Sequence, residues 1–328
     1  MASSYYALHD GPIFSGRKDY CGFGVIAQDN ADHKRLRTLG KQIAKGVYPK
    51  ATDQRAEYNF WLTFTRPGLF KKKHEVLKQF TWADYRGGAL QERSSVSDAA
   101  ASLVRDLSEA DAIIIFADAN ALQTREADRT RREIKRLSVI LTDAVTRRDT
   151  AVPVVIAFTK ADLAGTSQTL DAELWAHFAN MIDVISSSDK MVATYLCVAC
   201  GARPLNVYTP LLFVLSWHIY IQHHELNLNI QRLEEHASEA QRHSKRCANK
   251  AGEWGGLKGL LNAAASTLAG EKSLWELENE HRERSAALLR DAMQQKRVLQ
   301  PLLEPAKAAL AMCNGLPLIG NHRVLRDI

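Results

Sequence analysis

Long apolar runs recur in the first part of the chain. They cover residues 110–118, 152–158 and 191–201, and few polar positions interrupt them. Runs of this kind are typical of strands that are buried on both faces of a parallel sheet. Residues 58–65 and 78–83 form two further strand-like runs, and the basic segment between them predicts the turn of a hairpin. These strands, separated by helical segments, predict an α/β domain with a doubly wound, mostly parallel sheet.

The pattern changes near residue 216. Strand-like runs stop there, and apolar residues recur at helical spacing with polar residues between them. The first of these apolar residues are Leu226, Ile230, Leu233 and Ala237. The change predicts an α/β domain over residues 1–215, with an atypical segment at 1–40, and an all-helical domain over 216–328. The apolar stretch at 210–221 is too short to span a bilayer and predicts a buried helix.

Composition and charge narrow the classes of function. A chain of 328 residues with 46% hydrophobic content can bury a large core. The net charge is +6, but the basic residues are dispersed and no clustered basic face with stacking aromatics indicates nucleic-acid binding. The N-terminus shows no charged segment followed by an apolar stretch, so we expect a cytoplasmic protein without a transmembrane segment.

A short polar motif follows the run at 152–158. Thr159, Lys160 and Asp162 form a T-K-x-D sequence directly after the predicted strand. A carboxylate at Asp162 can accept hydrogen bonds from the N1–H and the 2-amino group of guanine, which adenine does not offer. The aliphatic stem of Lys160 can lie along the base. The alternative is a solvated loop between a strand and a helix.

A second motif precedes the first. Residues 80–83 predict a strand that runs into Asp84, and Gly87 completes a D-x-x-G sequence. Glycine at this place lets the backbone come close to an oxyanion. The two motifs, in this order, resemble those of the GTPase superfamily, in particular the translation-factor-related class and its bacterial double-GTPase group. The alternative is an unrelated doubly wound domain.

The resemblance implies a P-loop GTPase-like fold that binds GTP or GDP with Mg²⁺ and hydrolyses the γ-phosphate with water. Asp84 would hold the metal, Gly87 would meet the γ-phosphate, and Thr52 would complete the metal shell from a switch-like segment at 46–52. A plain proline-containing turn is the alternative for that segment. Ala199 lies where the loop that packs on guanine is expected in the family, although the serine of that loop is absent.

The segment expected to cradle the phosphates departs from the family pattern. Gly11 and Gly16 supply the G-x-x-x-x-G frame, but Arg17 and Lys18 stand at the positions of the phosphate-binding lysine and the Mg²⁺-binding hydroxyl. The planar fork of arginine does not replace a compact ammonium, and lysine cannot ligate Mg²⁺. The departure predicts a degenerate or missing phosphate loop, with weak or absent hydrolysis.

Cys21 carries a second resemblance. Residues 18–27 resemble the start of the glutaminase domain of glutamate synthases, where the cysteine becomes an N-terminal nucleophile. The alternative is a small, partly buried residue in a glycine-rich turn.

Two functional hypotheses follow from the resemblance to GTPases. The first is a guanine-nucleotide switch that couples the α/β domain to a protein partner through the helical region. The second is a pseudo-GTPase scaffold that keeps the fold and binds its partner without nucleotide.

Overall fold

The computed structural model divides the chain into two compact units. One unit contains Met1–Ile221 together with Leu302–Ile328, and the other contains Gln222–Pro301. The structure describes residues 1–15, 23–47, 55–66, 73–85, 98–124, 127–164, 176–200, 204–253, 274–313 and 315–320. No helix in those ranges is both long and apolar enough to cross a membrane.

An antiparallel meander forms the first sheet of the larger unit. Its strands are β1 (Phe23–Ala27), β2 (Ala56–Arg66) and β3 (Lys73–Asp84), and β2 lies in the middle. The predicted hairpin is confirmed, because β2 and β3 pair from Ala56 opposite Asp84 to Arg66 opposite Lys73. The register shifts between Leu62 and Thr63, which is a β-bulge that bends the strand.

The second sheet carries the buried apolar runs. Its strands are β4 (Ile113–Asp118), β5 (Val152–Thr159), β6 (Met191–Cys197) and β7 (Leu318–Gly320). The first three are parallel, and β7 adds to β6 in the antiparallel direction. The buried Thr194 hydroxyl donates a hydrogen bond of 2.7 Å to the Pro317 carbonyl, which satisfies a polar group at this junction.

Helices complete the larger unit. They are α1 (Ala2–Ser15), α2 (Asn30–Ala44), α3 (Asp98–Glu109), α4 (Ala119–Leu122), α5 (Ala127–Thr146) and α6 (Ala179–Ser187). Asp29 begins α2, because its carboxylate accepts from the backbone N–H groups of Ala31 and Asp32. Gly40 in α2 lies against Tyr6, so the missing side chain allows α1 and α2 to approach closely.

Two apolar cores hold this unit. One contains the fully buried Phe60 of β2, Val155 of β5 and Phe213. The other contains Leu141 of α5, Ile156 of β5 and Ile185 of α6. Alternate residues of β5 therefore enter different cores, which is why the sequence of this strand is apolar without interruption.

Two long helices follow. They are α7 (Thr209–Glu253), which has 45 residues, and α8 (Leu274–Met312), which has 39. Each contributes residues to both units. The start of α7 is buried, from Leu211 to Ile221, which confirms the predicted buried helix.

The smaller unit is a pair of helical segments. The middle of α7 supplies Leu226 and Ile230 to a small cluster that contains Ala292 of α8. The side chains of His223 and Gln300 lie 3.3 Å apart through Nε2 and Oε1. Low-numbered residues of α7 thus meet high-numbered residues of α8, and the two segments are antiparallel.

The architecture confirms a mixed α/β protein with a parallel-containing sheet and a helical C-terminal part. It differs from the prediction in its strands, which are divided between two sheets with three antiparallel pairs. The hairpin of β2 and β3 was predicted, whereas the pairing of β1 with β2 and of β7 with β6 joins segments far apart in the sequence, which local periodicity does not specify.

Candidate functional site

Three parallel strands end side by side in the second sheet. Asp118, the last residue of β4, pairs with Thr159, the last residue of β5, and Phe158 pairs with Cys197, the last residue of β6. The carboxyl ends of parallel strands are where open α/β sheets bind ligands. Thr159, Lys160 and Ala199 therefore lie at the same edge of this sheet.

The Thr159–Asp162 segment is held by backbone contacts. The Thr159 hydroxyl donates to the Ala117 carbonyl at 3.1 Å, which ties the end of β5 to β4. The buried Ala161 donates its N–H to the Val198 carbonyl at 3.3 Å. The carbonyl of Lys160 accepts from the N–H groups of Leu163 and Ala164. This local turn fixes the loop and leaves the Asp162 side chain exposed.

Lys160 has an unusual backbone conformation. Its φ angle is 55°, in the left-handed region that a residue with a side chain seldom adopts. Its ammonium donates to Oδ2 of Asp118 at 2.5 Å, while Oδ1 of Asp118 accepts from the Ala121 N–H at 3.0 Å and begins α4. One carboxylate thus holds both a helix start and the motif lysine.

The loop after β6 lies beside the Thr159–Asp162 segment at the same edge of the sheet. Val198 donates its N–H to the Phe158 carbonyl at 2.8 Å, and Ala199 and Leu205 exchange a pair of backbone hydrogen bonds. Asn206, with a φ of 51°, donates from its side chain to the Cys197 carbonyl at 3.0 Å. Ala199 is buried, and its neighbour Val198 accepts a hydrogen bond from the N–H of Ala161 in the T-K-x-D loop.

Asp118 and Asn206 belong to none of the motifs found in the sequence. A signal for Asp118 was present, because it is the first charged residue after the apolar run of β4. Asn206 follows residues with no strand or helix pattern, and asparagine tolerates the left-handed region, which is the only hint in its sequence.

Asp84 belongs to the other sheet. It is the last residue of β3 and is half-buried, which confirms the predicted strand that runs into this motif. The next residue, Tyr85, lies in a polar cluster with Arg55 and Asp106. Arg55 donates from Nε to the Tyr85 hydroxyl at 3.1 Å and from Nη2 to Asp106 at 2.7 Å, and the Tyr85 hydroxyl donates to Asp106.

The cluster shifts the ionisation of its members. Burial, and then the hydrogen bond to Asp106, raise the pKa of Tyr85 above its usual range, so the phenol stays neutral. The hydrogen bond to Tyr85 raises the pKa of Arg55 further, so this arginine is always charged. The cluster links Arg55, which lies three residues after Thr52, to Tyr85, which directly follows Asp84.

Five predicted site residues lie outside the described residues. They are Thr52, Gly87, Gly16, Arg17 and Lys18. Cys21 also lies outside them. Gly11 is described and lies in α1, in a helix rather than in the loop that the G-x-x-x-x-G frame predicts.

The residues present can be compared with what Mg²⁺ requires. No group of three or more histidine, cysteine, aspartate or glutamate side chains is arranged to hold a metal in the ranges that the structure describes. Mg²⁺ in nucleotide sites needs no such cage, because it is held by one or two carboxylates, waters and the phosphates themselves. The single carboxylate of Asp84 fits that requirement.

Comparison with known protein families gives a match over more than half of the chain. A model of the protein family described as Double-GTPase 2 matches residues 1–192. No curated protein and no solved structure matches the chain.

Proposed function

Since the chain belongs to the Double-GTPase 2 family, whose model covers 192 of its 328 residues, we propose that it binds a guanine nucleotide at the carboxyl edge of β4, β5 and β6. The family itself indicates a GTP-binding or GTPase-like role. The observation that carries the site is the convergence of Thr159, Lys160 and Ala199 at that edge.

Asp162 is proposed to select the base. Its carboxylate is exposed beside a loop that backbone hydrogen bonds hold in place. It is free to accept from the N1–H and the 2-amino group of guanine, and the stem of Lys160 supplies an apolar surface for the ring. A nucleotide that lacks the 2-amino group would leave part of the carboxylate unpaired and would bind more weakly.

Nucleotide binding by the Asp162→Asn variant tests this assignment. An amide pairs poorly with the N1–H and 2-amino donors, so we expect GDP binding to weaken by about tenfold to a hundredfold and preference to shift toward xanthosine diphosphate. Asp143→Asn is the matched control, because Asp143 is an exposed aspartate on α5 that pairs with Arg147. Equal affinity of the unchanged protein for ADP and GDP would remove the proposal.

Asp84, Thr52 and Gly87 are proposed for the phosphate end of the site. When bound, Mg²⁺ supplies positive charge that neutralises the phosphate oxygens. Asp84 would hold the metal at the end of β3, and the fixed conformation of Tyr85 supports its orientation. Thr52 and Gly87 carry the roles that the family resemblance gives them.

Hydrolysis is proposed to be weak or absent. Phosphoryl transfer depends on a lysine at the β- and γ-phosphates and a hydroxyl on Mg²⁺. In the best alignment, Arg17 and Lys18 replace them, and Gly11 lies in a helix. Gly11, Gly16, Arg17 and Lys18 remain the candidates for whatever phosphate contact the N-terminal segment makes.

A pseudo-GTPase scaffold is the second candidate function. The observation that favours it is a set of exposed apolar side chains in the smaller unit, among them Leu288 at 51% and Val298 at 67% exposure. Exposed apolar side chains of this kind could add contact area in an interface with a protein partner. Mass spectrometry of nucleotide carried through purification separates the two, because a scaffold without nucleotide binding would release neither GDP nor GTP on denaturation.

A further inference from the structure

Asp118 joins the ends of β4 and β5 through its side chain, which pairs with Lys160. It is the last residue of β4, and its register partner Thr159 immediately precedes Lys160. The family motif does not include this residue, and the sequence did not mark it as functional. The structure gives it two hydrogen-bond partners that use different oxygen atoms.

We propose that Asp118 is a positioning residue for base recognition, which holds the Lys160 ammonium so that the aliphatic stem of the lysine forms a fixed wall for the base. This inference rests on the proposed nucleotide site. It adds Asp118, whose negative charge orients the Lys160 side chain before the nucleotide binds.

The geometry supplies the first argument. A lysine stem has several rotatable bonds and loses much conformational freedom when it is ordered. The Nζ–Oδ2 distance of 2.5 Å fixes the far end of the side chain, and the backbone fixes the near end at a φ of 55°. With both ends held, the entropy of ordering the stem is already lost before binding, which favours affinity.

The partial exposure of the pair supplies the second argument. The Lys160 side chain is 52% exposed and the Asp118 side chain is 29% exposed. An ion pair with that exposure contributes little to folding stability, about 0–1 kcal/mol. A pair that adds little to stability but constrains a motif residue in a strained backbone conformation is better explained by what it does for the site.

Asp118 is itself rigid. Its Oδ1 accepts from the Ala121 N–H at 3.0 Å, so the carboxylate is oriented by the start of α4. Its neighbour Ala119 is fully buried, and the carbonyl of Ala117 accepts a hydrogen bond from the Thr159 hydroxyl. The carboxylate therefore acts as a fixed anchor to which the flexible lysine is attached.

GDP titration of four proteins tests the proposal: the unchanged chain, Asp118→Asn, Lys160→Met and the double variant. Asparagine keeps the acceptor that begins α4 but loses the charge that holds Lys160, so we expect GDP binding to weaken by about fivefold. Methionine keeps an apolar stem without the ammonium and should weaken GDP binding by a similar factor. The double variant should bind no more weakly than Lys160→Met, because both substitutions break the same pair.

Salt dependence separates a positioning role from a purely structural one. Screening weakens an exposed ion pair, so raising the salt concentration should weaken GDP binding more in the unchanged protein than in Asp118→Asn. Asp143→Asn, which removes an equal charge from α5, should behave as the unchanged protein.

The outcomes are distinct. An unchanged chain that fails to bind GDP overturns both the nucleotide site and this inference. If the unchanged chain binds GDP and Asp118→Asn and Lys160→Met both bind it as tightly as the unchanged chain does, only this inference is overturned. Additive losses in the double variant overturn it as well. Should Asp118→Asn not fold, GDP binding in Lys160→Met that equals that of the unchanged chain would still overturn the inference, because this variant breaks the same pair and leaves the start of α4 untouched.

Discussion

The Nζ of Lys78 on β3 lies 2.5 Å from Nε2 of the buried His218 at the start of α7. The carboxylate of Asp111 lies 4.0 Å from the same nitrogen. Burial, and then the positive charge of Lys78, lower the pKa of His218 from 6.5 to about 4. Burial also lowers the pKa of Lys78. A neutral imidazole therefore accepts a hydrogen bond from the lysine.

The protein should lose stability in mild acid because of His218. The unfolded chain takes up a proton near pH 6.5, whereas the folded protein takes it up only near pH 4. The contribution of His218 to the free energy of unfolding is therefore complete above pH 6.5. It is lost as the pH falls toward 4, which lowers the free energy of unfolding by about 1–3 kcal/mol. Denaturant unfolding of His218→Gln, which keeps an acceptor but does not titrate, should show a smaller loss over this range.

His236→Gln is the control for the acid effect, because His236 is an exposed histidine of the same helix. It should unfold with the pH dependence of the unchanged protein. A His218→Gln variant that loses as much stability in acid as the unchanged protein would contradict the assignment.

Close packing of α1 on α2 should make Gly40→Ala destabilising. A Cβ at position 40 would contact the Cβ of Tyr6 and lie 2.8 Å from its Cγ, so the helices must separate. We expect a loss of about 1–3 kcal/mol in the free energy of unfolding. Tyr6→Gly should recover part of that loss in the double variant, since it removes both atoms.

Tyr6→Ala is the matched comparison for the rescue, because it removes Cγ and keeps Cβ. It should relieve Gly40→Ala less than Tyr6→Gly does. If the stability losses of Gly40→Ala and Tyr6→Gly simply add in the double variant, α1 and α2 are not in contact at this position.

A protein that ends at residue 215 should fail to fold. It would lose the buried residues Trp217, Ala309 and Cys313 from one core, and it would lose β7 from the second sheet. The exposed apolar surface should cause aggregation, measured by light scattering and by loss of the cooperative thermal transition.

Replacing residues 222–301 with a flexible linker provides the control for truncation. This variant also lacks most of α7 and α8 but keeps the segment from Leu302 onward, which belongs to the larger unit. It should remain folded. A soluble and cooperative protein that ends at residue 215 would contradict the assignment of Leu302–Ile328 to the larger unit.

GTP turnover should be slower than about one per second, because no lysine or hydroxyl stands at the expected positions after Gly16. Phosphate release with Mg²⁺ measures it. Turnover at or above that rate, abolished by Asp84→Ala and kept in Asp143→Asn, would show that the N-terminal segment is not degenerate.

The parallel strands of the second sheet and the T-K-x-D loop could be predicted from the sequence, for a physical reason. Strand β5 is buried on both sides, so its apolar run is continuous and the motif that follows is easy to locate. The Lys160–Asp118 pair was not accessible, since it depends on the register of β4 against β5. The division into two sheets depends on long-range strand pairing, which local periodicity does not encode.

The hydrogen bond from Thr194 to Pro317 joins residues that are 123 positions apart in sequence. At about 5–20 residues per second, a ribosome needs about 6–25 s to make the intervening chain. During that interval β6 presents an unpaired edge and a buried hydroxyl without its acceptor. The nascent protein must therefore wait for β7, and this interval is when a chaperone that covers strand edges would be of most use to it.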